Sequence, residues 1–84
     1  MRSVRVQFFA TARDAAGCGE AEISWEGDAA LTIDEFWKRL ETRFPGMATL
    51  RSGIRLARNM EYLAGNEPLF SGDEVALIPP VSGG

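Results

Sequence analysis

The stretch LTIDEFWKRLETRFPG, residues 31–46, constrains the fold more than any other part of the chain. Ile33, Phe36, Trp37, Leu40 and Phe44 recur at i, i+3, i+4, i+7 and i+11, the spacing that gathers side chains on one side of an α-helix. Thr32 is placed to cap that helix and Glu35, three residues on, to reach back, so that two otherwise unpaired backbone donors are satisfied. Leu31 and Phe36 are placed for a hydrophobic staple around the cap, and Pro45 with Gly46 ends the helix. An aromatic stripe at this spacing reads as core rather than as a cofactor box. It needs a sheet to lie on.

The remaining chain supplies strands. VRVQFFA puts Val4, Val6 and Phe8 on one face and Arg5, Gln7 and Phe9 on the other, the period of two of a half-buried strand. After turn residues at Gly17 to Gly19, AEISW places Ile23 and Trp25 together, and the two segments predict a hairpin with a long loop. GIRLARN alternates Ile54 and Leu56 with Arg55 and Ala57, while Gly65-Asn66 and Pro68 mark turns in NMEYLAGNEPLF. In DEVALIPP, Val75 and Leu77 face one way, Ala76 and Ile78 the other, and Pro79-Pro80 stop the ladder and stiffen the exit. There is no repeat and no linker. The expectation is one domain over 1–84, with 79–84 a flexible tail, of α+β class: one main helix packed across a mixed sheet. With the hairpin first and the helix third, this is the order of a β-grasp, ubiquitin-like fold.

Composition narrows the function. An 84-residue domain buries only roughly 60 to 65% of the surface its unfolded chain exposes, which leaves no room for a self-contained catalytic cleft. Nine basic against 12 acidic residues argue against a nucleic-acid partner, which is held by clustered Lys and Arg, and Arg51, Arg55 and Arg58 read as a solvated stripe. With no histidine and one cysteine, the chain cannot build a Ser-His-Asp or Cys-His pair, a zinc site of the usual kind, or an internal disulfide. Cys18, flanked by glycines, reads as a tolerated small residue in a reducing compartment. No apolar run approaches the length of a membrane span or of a signal-peptide core, so the expected location is cytoplasmic, with no membrane partner.

VRVQFFATARDAAG at the start, ARN in the middle and LFSGDEVALIPPVSGG at the end resemble the small subunit of molybdopterin synthase, the MoaD branch of the ubiquitin-like sulfur carriers. The most specific part is GDEVALIPPVSGG, in which an acidic turn, a strand, a double proline and Gly-Gly follow one another. The resemblance implies chemistry at the carboxyl group of Gly84. An E1-like, MoeB-like enzyme adenylates that group with ATP, a sulfur donor converts it to a thiocarboxylate, and a MoaE-like large subunit uses the sulfur to build the dithiolene of molybdopterin. No cofactor or metal is expected on this chain; the ATP belongs to the activating enzyme. Pro79, Pro80, Val81, Ser82 and Gly83 would insert the tail, the prolines giving reach and the glycines, which lack Cβ, passing a narrow channel. The same activated terminus would also serve a carrier for thiamine or cysteine synthesis, or a protein modifier joined to lysines.

Strand parity bears on the partner surface independently of the resemblance. Phe9 and Ile78 fall on faces expected to be wet, which suggests a docking patch, the alternative being cover by loops of the same chain. The resemblance points to the same two positions, adds Tyr62, and matches Arg13 to a charged contact. Arg58 departs from the family, which has an aliphatic residue there, at the expected edge of the patch.

Overall fold

The computed structural model describes residues 2–80. A five-stranded mixed sheet carries the fold: β1 (Arg2–Phe8), β2 (Glu20–Trp25), β3 (Arg55–Arg58), β4 (Glu61–Tyr62) and β5 (Glu74–Ile78), in the spatial order β2-β1-β5-β3-β4. β1 pairs antiparallel with β2 and parallel with β5, Val6 beside Val75 and Phe8 beside Leu77. β5 pairs antiparallel with β3, Leu77 opposite Leu56. The last strand in sequence is thus the middle one in space.

Val4, Val6, Phe8, Ile23, Trp25, Leu56, Val75 and Leu77 turn their side chains to one face of the sheet and are buried there. Helix α2 (Ile33–Arg43) covers that face with Phe36, Trp37 and Leu40, and Phe8 meets Phe44 edge-on at 5.2 Å between ring centroids. Thr32 caps α2 as its sequence position requires, its Oγ1 accepting from the Glu35 N–H at 3.1 Å. The Glu35 carboxylate leans to Lys38, 3.9 Å away. Leu31 and Phe36 are both buried beside the cap, and Leu31 exchanges two backbone hydrogen bonds with Leu69, at 2.8 and 2.9 Å. Replacing Thr32 by alanine should cost about 1 kcal/mol, read as a lowered denaturant midpoint with an unchanged slope.

Two elements differ from the sequence expectation. The connection from β1 to β2 is not a plain loop but holds a second helix, α1 (Ala10–Ala16). Four of its seven residues are alanine, a strong helix former that leaves no apolar stripe to see; only Ala12 is buried. Gly17 ends it in the left-handed conformation, φ 78°, its N–H donating to the Arg13 carbonyl at 2.9 Å. α1 packs on the 3-10 helix Pro45–Thr49, where a Cβ on Gly46 would stand 3.2 Å from the Ala15 carbonyl oxygen, so a side chain there would have to push that backbone back by a few tenths of an ångström. The other addition is β4, two residues long, joined to β3 by the tight turn Asn59–Met60.

The open edge of β2 is covered from α2. Arg43 donates to the Glu22 carbonyl at 2.6 Å and Arg39 to the Ser24 carbonyl at 3.5 Å, occupying acceptors that would otherwise invite another strand. Among the described residues, no helix is long and apolar enough to cross a membrane.

Candidate functional site

The face of the sheet away from α2 carries the site. Register sets two rows of side chains across it. Gln7, Ala76, Ala57 and Tyr62 lie side by side on β1, β5, β3 and β4, and Ile78 lies opposite Arg55 in the next row, beyond which the chain of β1 runs on to Phe9. The two facing alanines make a low floor and the longer side chains stand around it. The result is a groove of about 320 Å3 lined by Gln7, Phe9, Ala57, Met60, Tyr62, Glu74, Ala76 and Ile78.

Three of the residues singled out in the sequence therefore come together here: Phe9, Tyr62 and Ile78. Phe9 is 48% exposed and Tyr62 54%, so no loop among the described residues buries them; Ile78 is half-buried. Arg13 is exposed on α1 and is not among the residues lining the groove, its guanidinium folding over Gly19. Pro79 and Pro80 leave the sheet at the end of β5 and, with Thr11, Leu50 and Ile54, border a second groove of about 340 Å3; Pro80 rests over Gly53. Val81, Ser82, Gly83 and Gly84 lie outside the described residues.

Arg58 is not at the edge of the outer patch. Paired with Val75 and Glu61, it turns to the inner face at the sheet's rim, donating to the Pro68 carbonyl at 2.7 Å and meeting Glu67 at 3.3 Å. The ion pair lets an arginine stand where an aliphatic residue would otherwise close the core.

Sequence reasoning missed Met60, Arg55 and the alanine floor. Arg55 stacks its guanidinium over the Tyr62 ring at 4.1 Å, which fixes the ring beside the groove. Its alternation with Ile54 and Leu56 was the available signal. Gln7 donates to the Glu74 carboxylate, one row back on β5, at 3.3 Å. Asp34, whose carboxyl is held below the usual range by hydrogen bonds from Arg51 and Lys38, sits at the start of α2, away from the groove lining. Cys18 is half-buried against the core between α1 and β2. Among the described residues there is no group of three or more His, Cys, Asp or Glu placed to hold a metal.

A sheet ordered β2-β1-β5-β3-β4, a helix across one face and the end of the central strand running out beside an apolar groove define a ubiquitin-like β-grasp protein. Residues 6–84 match the ThiS family. The human molybdopterin synthase sulfur carrier subunit is 37% identical over 84 residues, covering 96% of this chain and 93% of its own. Among solved structures, SAMP1 from Haloferax volcanii superposes with a TM-score of 0.81 at 29% identity, covering 98% of this chain and 99% of that one. A protein-protein complex of subunits 1 and 2 of the molybdopterin-converting factor from Helicobacter pylori contains a chain matching with a TM-score of 0.67 at 25% identity, covering 98% of this chain and 99% of that one. The chain belongs to the ThiS family, in its MoaD branch of small sulfur-carrier subunits.

Proposed function

We propose that this chain is the sulfur carrier subunit of a molybdopterin synthase and that its chemistry takes place on the α-carboxyl group of Gly84. The observation that carries the reading is the path of β5. The strand that sets Ala76 and Ile78 in the groove continues through Pro79 and Pro80 toward residues 81–84, so a partner seated on the groove lies where the tail departs. The name of the human relative and the paired subunits of the Helicobacter pylori structure support a large synthase subunit as that partner.

The α-carboxyl group, with an ordinary pKa near 3.5, is ionised at neutral pH and is a poor electrophile. Attack of a carboxylate oxygen on the α-phosphate of ATP, with loss of pyrophosphate, gives an acyl adenylate. Hydrosulfide supplied by the sulfur donor then attacks the acyl carbon, AMP leaves, and loss of the S–H proton gives the thiocarboxylate. The activating partner, an E1-like enzyme, supplies both ATP and the catalytic groups; this chain supplies the carboxyl group, its reach and the docking surface, and binds no cofactor. It would work in the cytoplasm. The likeness to SAMP1, a small archaeal modifier protein, keeps conjugation to lysines as the competing fate of the same adenylate.

The test is to incubate the chain with ATP, the adenylating enzyme and a sulfur donor, then add the large subunit and the pterin precursor. Mass spectrometry should show exchange of one oxygen for sulfur on the chain, lost again as product forms, and the chain should co-elute with the large subunit. A chain that gains sulfur but neither binds the large subunit nor passes the sulfur on would overturn the reading. Cys18→Ser should give the same exchange in the same yield, because the thiol takes no part; loss of the product would move the sulfur from Gly84 to the thiol.

A further inference from the structure

The turn joining β3 to β4 is built against the preferences of one of its residues. Arg58 pairs with Glu61, leaving Asn59 and Met60 as a two-residue loop with φ of 51° and 74°. Positive φ at both positions is the mirror-image turn whose twist suits a hairpin, and it favours Asn or Gly followed by Gly. Asn59 fits and is used. Its N–H donates to the Glu74 carbonyl at 2.8 Å, its Oδ1 accepts from the Glu74 N–H at 2.9 Å, and its Nδ2 donates to Asp73 at 3.1 Å. Met60 has a Cβ where glycine would be free of strain, and it is 97% exposed, so burial within the chain returns nothing for that conformation.

Met60 does line the groove, with Phe9, Tyr62 and Ile78. Among the described residues the non-glycine positions with positive φ are Ala10, Asn59 and Met60, and Ala10 directly follows Phe9. Disfavoured backbone therefore gathers beside the apolar side chains of one groove, as it does at ligand clamps. We propose that Met60 is a preformed apolar anchor for the large synthase subunit, held out over the groove by the Asn59–Met60 turn. The inference rests on the function proposed above and adds a residue to its docking surface. β5 leads from the groove floor at Ala76 and Ile78 straight to Pro79, so the protein that receives the tail is the one that must cover Met60. The unbranched thioether adapts to an irregular apolar surface, and Glu74 in the groove's lining calls for a cation at the rim of that surface.

Titration of the large subunit with wild type, Met60→Ala, Met60→Gly, Met60→Leu and Phe9→Ala, alongside their melting curves, tests this. Met60→Ala keeps the strained backbone and removes the anchor, so affinity should fall on the order of tenfold with little change in Tm. Met60→Gly should lose as much affinity while its Tm rises by a few degrees, roughly 5 °C, as strain is relieved. Met60→Leu should bind as wild type. Met60→Ala binding as tightly as wild type, or Met60→Gly melting lower, would overturn the anchor. If wild type binds and Phe9→Ala weakens it while Met60→Ala does not, the anchor alone falls; if wild type does not bind the large subunit, the functional reading falls with it.

Discussion

A chain shortened by Gly84, or extended by one residue beyond it, is expected to lose sulfur transfer outright while melting where the full chain melts. Among the described residues the buried core cluster runs from Val4 to Leu77, and a glycine has no side chain to add to it. Shortening leaves a carboxyl group, but on Gly83, about 3.5 Å short of its station. Misplacement by about 1 Å can cost a hundredfold in rate, so a shift of one residue removes the reaction. Extension has a different chemical consequence: the Gly84 carboxyl becomes a neutral amide carbonyl, too weak a nucleophile to attack ATP, and the free carboxylate moves about 3.5 Å beyond its station. Circular dichroism with mass spectrometry of the thiocarboxylate checks both variants, and sulfur transfer surviving in either refutes the terminal-carboxyl mechanism.

Two neighbouring residues of β5 should fail in opposite assays. Leu77 is fully buried between Phe8 and Leu56 on the inner face, and Leu77→Ala should cost about 2 to 5 kcal/mol through lost burial and the cavity left behind. A domain of this size has on the order of 5 to 10 kcal/mol in all, so Tm should fall by more than about 10 °C. Ile78 is half-buried on the outer face. Ile78→Ala, like Phe9→Ala, should weaken large-subunit binding by about thirtyfold, roughly 2 kcal/mol, with a far smaller change in melting. An Ile78→Ala chain that melts sharply lower and binds as tightly as wild type would leave the outer face without a docking role.

The parts of this fold that sequence reveals are those with a strong local period. The stripe of α2 and the alternation of β1 and β5 place Phe36, Leu40, Val4, Val6, Val75 and Leu77 in the core, and each is buried. α1 is hidden because its alanines carry helix propensity without hydrophobic contrast, the glycine at its end being the one local sign. β4 is too short to show a period. The parallel pairing of β1 with β5 joins residues about as far apart as the chain allows, and no local pattern encodes it. Of the site, parity alone gave Phe9 and Ile78, since an apolar residue on the wrong face is visible without a structure. Tyr62 and Arg13 came from the family resemblance. Met60 was unreadable because its exposure and positive φ follow from the turn, and a methionine beside an asparagine does not look like one. Arg58 turned inward because Glu67, nine residues away, supplies its counter-charge.

The tail grows from the middle strand of the sheet, not from an edge. A ribosome delivers β1, β2 and both helices long before β5, yet until β5 emerges β1 and β3 have no common neighbour and the core has no floor. Closing that gap brings Arg5 to Glu74, a long-range pairing of the kind that slows folding. A chain broken off before residue 74 lacks the strand on which the core is built and, on the function proposed, the carboxyl group to be activated. On the function proposed, an activating enzyme that recognised the completed sheet would spend no ATP on fragments that lack β5.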